Sequence, residues 1–143
     1  MTQATNPVIS LKSLLVSTKY TTVDYAGFDG FKIDISFLTR EALAKIRKKA
    51  TRTQMQNRVP TESVDEELFL KLYVEAAIKG WSGLKLAYVE QMAPVDLGDA
   101  DRDAELEYNS DNALMLMKAS TDFDSFVSST VTDLSAFQKT SGN

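Results

Sequence analysis

The sequence predicts a mainly α domain: a small helical unit of about four helices with an N-terminal β-hairpin, α+β in overall arrangement. Three observations predict it. Two runs that alternate apolar and polar residues, 19–25 and 31–37, flank a loop at 26–30 that holds two glycines. Beyond them, apolar residues recur at helical spacing in successive segments, each behind a Ser, Thr or Asn suited to capping a helix. The 143 residues fit one domain, taken as 1–143 with loose tails at 1–10 and 139–143.

The elements follow in order. Leu11, Leu14 and Leu15 have helical spacing over a stretch too short to separate a turn of helix from a strand entry. In the hairpin, Phe31, Ile33, Ile35 and Phe37 alternate with Lys32, Asp34 and Ser36, giving one buried face. Thr39 is a helix cap, Glu41 suits the dipole of the first turn, and Leu43, Ile46 and Ala50 form a narrow apolar stripe. These predict a basic helix over 39–57, ended by Val59-Pro60. Ser63 and Glu66 match a capping box. The broad stripe from Leu68 to Ile78 reads as a largely buried helix, with Gly80 as its C-terminal cap. Residues 84–92 are apolar and of undecided type, and 94–103 form an acidic loop punctuated by Pro and Gly. Asn109 or Ser110 caps a helix bearing Ala113, Leu114, Met115 and Met117. Ser120 or Thr121 caps the last one, where Phe123, Phe126, Val127, Val131, Leu134 and Phe137 keep helical spacing.

The composition removes much chemistry. There is no cysteine and no histidine, so disulfides, thiolate nucleophiles, imidazole bases and ordinary zinc sites are excluded. No phosphate-cradling glycine motif occurs. Asp99, Asp101 and Asp103 resemble the opening of a calcium loop, but Ala104 and Ser110 stand where Gly and Glu belong. The carboxylates run along a loop rather than in an apolar setting that would raise a pKa for acid catalysis. The expectation is therefore no enzyme, no metal and no cofactor. Mean hydropathy is -0.20, no stretch reaches the ~20 apolar residues of a membrane span, and residues 1–10 lack a signal-peptide pattern. A cytoplasmic, reduced protein is expected.

Charge carries the functional signal. The net charge of -4 conceals +6 over residues 1–60, from ten bases and four acids, and -10 over 61–143, from six bases and sixteen acids. Lys45, Lys48, Lys49 and Arg52 fall at i, i+3, i+4 and i+7, one face of the expected helix. Asp99, Asp101, Asp103, Glu105 and Glu107 concentrate the opposite sign. The split reads as two solvated surfaces, as the mark of an anionic partner, or as complementary faces that meet within or between subunits. The basic face is expected to meet an acidic protein surface, such as another copy of the chain. Nucleic acid is the weaker partner, since the whole chain is acidic and no aromatics interleave with the bases. Trp81, the only tryptophan, is either packed with its indole N–H bonded to a nearby carbonyl or an exposed hot spot for a partner.

One ordered set of motifs resembles a known family. Gly80-Trp81-Ser82-Gly83-Leu84 precedes the acidic loop; Tyr108-Asn109-Ser110-Asp111-Asn112-Ala113-Leu114-Met115-Leu116-Met117 follows, then a Phe-rich helix and Phe137. Upstream, Gly27-Phe28-Asp29-Gly30-Phe31-Lys32-Ile33 leads into the helix that begins at Thr39-Arg40-Glu41. Over roughly residues 27–138 the chain resembles the tail assembly chaperones of long-tailed, siphovirus-type bacteriophages. The resemblance implies a non-enzymatic protein that coats the long helical tape measure protein in many copies while the tail tube polymerises. It further implies self-association, a possible contact with the tail tube protein, residence in the host cytoplasm and absence from the mature virion. Some members have a longer form made by ribosomal frameshifting. The alternatives are a small DNA- or RNA-binding regulator using the basic helix 39–57, or a structural tail or head–tail component.

Overall fold

A computed structural model of the chain describes residues 8–15, 19–133, 135 and 137. Most of the expected loose tails, and Leu134, lie outside them. Among the described residues there are six helices and five strands, and the strands form two antiparallel sheets. The fold is therefore α+β, and the expectation of a mainly α domain with a single hairpin is corrected.

Leu11, Leu14 and Leu15 open the described chain with a single helical turn, α1 (Leu11–Leu14), which buries nothing. The expected hairpin forms as β1 (Lys19–Asp24) and β2 (Lys32–Phe37), paired from Lys19 with Phe37 to Asp24 with Lys32. Phe31, Ile33 and Ile35 turn to the interior with no exposed surface, as their period of two requires.

Helix α2 (Arg40–Ala50) starts where expected, with the Thr39 hydroxyl accepting from the Ala42 N–H at 3.1 Å. It ends seven residues early. Residues 51–56 become β3 (Thr51–Gln56), which pairs with β4 (Val59–Val64) across a turn in which Asn57 and Arg58 have φ of 52° and 65°. Two such residues between a closing pair form the turn whose twist matches antiparallel strands. The apolar stripe that supports α2 stops at Ala50, and β-branched Thr51 and Thr53 then favour extended backbone. Pro60 fits because, one pair in from the closing Gln56–Val59 pair, an antiparallel ladder asks no inward N–H of it.

Helix α3 (Glu66–Ala77) is capped by Asp65, not Ser63; its carboxylate accepts from the Leu68 N–H at 3.1 Å. Ser63 is held in β4. Gly80 caps nothing either. The chain leaves α3 directly into β5 (Ile78–Ser82), which pairs with β2 and completes a sheet of order β1-β2-β5. The undecided segment contains α4 (Leu86–Met92). Asn109 caps α5 (Ser110–Ala119), and the buried Ser120 ends α5 while capping α6 (Thr121–Thr130). Helix α6 ends at Thr130, Ser135 and Phe137 are again helical, and Val131 and Phe137 are buried.

Helices α3 and α6 pack on the sheet, and α5 packs against both, around Phe31, Ile33, Ile35, Val74, Ile78 and Phe123. The β3–β4 ribbon stands apart from this core: every residue from Arg52 to Ser63 is exposed. Its base is tied down where the Asp65 N–H meets the Ala50 carbonyl at 2.8 Å and Arg52 pairs with Asp65 at 3.0 Å. No helix among the described residues is long and apolar enough to cross a membrane.

Candidate functional site

Two concave surfaces lie on different elements. The first is an apolar groove of about 380 Å³ between α4 and α5. Val89 and Ala93 form one wall, Met115, Leu116 and Ala119 the other, and Val95 and Leu106 the floor and rim. Asn112 and Lys118 are the polar residues on its edge. Met115 is 64% exposed and Val95 40%, so the groove presents apolar surface that no part of the described chain covers. The reason is local: residues 113–117 are apolar without a break. Ala113, Leu116 and Met117 turn inward and Met115 is left facing out. That unbroken run was the signal for the groove, which periodicity alone does not resolve into an inner and an outer face.

The acidic segment touches this groove through Leu106 and is shaped by its own bonds. The Leu86 and Ala87 N–H groups donate to the carbonyls of Ala104 and Arg102, and the Leu106 N–H donates to Leu84. Arg102 forks onto Glu90 with both contacts at 3.0 Å. This pairing lowers the pKa of the Glu90 carboxyl, chiefly through the hydrogen bond from Arg102, and raises that of the guanidinium. Asp101 accepts from the Asp103 N–H, and Glu105 from the Gly83 N–H. Asp99, Asp103 and Glu107 are exposed, and their carboxylates make no ion pair or hydrogen bond among the described residues. Among those residues no group of three or more carboxylates is placed to hold a metal ion.

The second surface is a cleft of about 470 Å³ where the β3–β4 ribbon overlooks α2, lined by Ala44, Arg47, Lys48, Thr51, Thr53 and Glu62. Lys45, Lys48 and Lys49 are exposed on α2, and Lys45 reaches Glu41 at 3.6 Å. Arg52 does not share their helical face, because it lies on β3 and pairs with Asp65. Arg47 stacks its guanidinium over the Phe69 ring at 5.2 Å. Within one copy the fold does not join the basic and acidic sets: no ion pair links them among the described residues.

Trp81 is half-buried. Its ring meets Tyr108 and Phe123 edge to face at 5.1 and 6.2 Å, and its N–H donates to the Leu106 carbonyl at 2.9 Å. Tyr108 donates to the Ile78 carbonyl. Burial first, and then the Glu75 charge, pushes its phenol pKa up.

These surfaces define a small α+β protein with an uncovered apolar groove on one side and a basic cleft on another. The chain belongs to the YdaY prophage protein family, whose model matches residues 38–142, from the end of β2 onward. It is a phage-derived protein. No curated protein and no solved structure matches the chain.

Proposed function

We propose that this phage protein is a non-enzymatic tail assembly chaperone that binds the tape measure protein and keeps it soluble while the tail tube assembles. The observation that carries this reading is the apolar groove between α4 and α5, with Met115 and Val95 exposed at its mouth. A groove of this kind takes the apolar stripe of an amphipathic helix, one turn per anchor. Each buried aliphatic anchor contributes roughly 1.5–3 kcal/mol. Two or three of them barely exceed the cost of association, so a single copy binds weakly. Many copies along one long helical chain gain avidity from their shared substrate, which suits a coat that must be shed. On this reading the protein works in the host cytoplasm, self-associates along its substrate, comes near the tail tube protein and is left out of the virion.

The test is co-expression with the tape measure protein of the same prophage. The wild-type chain is expected to co-purify with it and to raise its soluble fraction. Met115→Asp, at an exposed position, is expected to remove both effects while leaving the circular dichroism spectrum unchanged. A tape measure protein that neither co-purifies with the wild-type chain nor gains solubility from it overturns the proposal.

A further inference from the structure

The basic cleft plays no part in that groove. Its ribbon is two strands wide, so both outer edges are unpaired, and Met55 near its tip is 66% exposed. Residues 40–64, the helix and ribbon together, carry seven Lys and Arg against Glu41 and Glu62, a net +5. Residues 96–107 carry six acids against Arg102, a net -5. The acidic segment is held in shape by its bonds to α4 and the Arg102–Glu90 fork, so it is presented already ordered. Each copy therefore carries both halves of a complementary pair, and no ion pair joins them among the described residues.

We propose that the acidic segment 96–107 of one copy seats in the α2–ribbon cleft of a second copy. Asp99 and Asp103 meet Lys48 and Lys49, and Met55 adds apolar contact at the ribbon tip. The two surfaces differ, so the contact is heterologous, and repetition gives a ladder or a ring rather than a closed two-fold dimer. A second copy is favoured over duplex DNA because the rest of the chain, -10 over residues 61–143, repels phosphate. Exposed pairs are individually weak and screened by salt, so the junction is reversible. It gives the multi-copy arrangement proposed above its interface, yet it forms without the tape measure protein. Its test therefore leaves that protein out.

Sedimentation velocity on the full chain is expected to show concentration-dependent assembly at low salt that disappears at about 0.5 M salt. Lys48→Gln with Lys49→Gln, and separately Asp99→Asn with Asp103→Asn, each weaken self-association about tenfold or more. The decisive measurement mixes these two variants. Each keeps one intact half, so together they form a 1:1 dimer and nothing larger. Glu62→Gln, which removes the acid from the cleft wall, tightens assembly of the wild-type chain. A mixture that stays monomeric, or assembly indifferent to salt, overturns the junction. So does a chain that remains monomeric while binding duplex DNA through Lys48 and Lys49.

Discussion

The indole N–H of Trp81 donates to the backbone carbonyl of Leu106, 2.9 Å away and 25 residues further along the chain. The bond ties β5 to the strand-like exit of the acidic segment. Leu106 lines the apolar groove, so Trp81 positions the groove from behind without lining it.

Trp81→Phe keeps most of the ring packing against Tyr108 and Phe123 but leaves the Leu106 carbonyl without its donor. A loss of about 1–2 kcal/mol is expected in denaturant unfolding, with the slope unchanged. An unchanged midpoint would show that water replaces the indole at no cost.

Gly83 allows the chain to pass close behind the hairpin loop. Its φ is +73°, and a Cβ there would lie 2.0 Å from the Gly30 carbonyl oxygen. Gly83→Ala therefore meets both left-handed strain and a backbone clash that no side-chain rotation relieves. The expected destabilisation is about 2–5 kcal/mol, read as a fall in Tm. The same substitution also moves Glu105, which the Gly83 N–H holds at 3.0 Å.

The response to pH follows from what titrates. With no histidine, stability is expected to be flat from about pH 6 to 9. Burial raises the phenol pKa values of Tyr25, Tyr73 and Tyr108, with Asp122, Asp124 and Glu75 adding to it in turn. The folded state then holds those protons more tightly than the unfolded chain. This stabilisation is complete below about pH 10 and is lost as pH rises through the higher folded-state values. At the acid end, Glu90 has a folded pKa lowered by Arg102. Its contribution is present above the ordinary glutamate range and disappears as pH falls through the lowered value. Thermal melts across the range check both limbs, and a transition centred near neutral pH would contradict the assignment.

Wherever a local rule had no competitor, the amino-acid order alone determined the structure. The hairpin of β1 and β2, the Thr39 cap, the presence of helix α3 and the capped helices α5 and α6 follow from periodicity and capping chemistry. The absence of Cys and His and the opposed charge of the two halves are likewise complete in the sequence. The remainder turned on long-range partners. Ile78 closes the helical stripe on paper, with Gly80 as its cap, yet Ile78 to Ser82 is a strand because β2 offers an open edge and backbone pairing there outweighs a glycine cap. Residues 51–56 leave the helix because nothing apolar remains beneath them, while 59–64 lie within reach to pair. That change moved Arg52 off the lysine face and turned a basic helix into a basic cleft. The apolar groove is the fullest case. Met115 sits in a run that reads as core, and only the packing of α4 beside α5 decides that it faces outward. Periodicity specifies how many faces of a helix are apolar, whereas the neighbours decide which of them is covered.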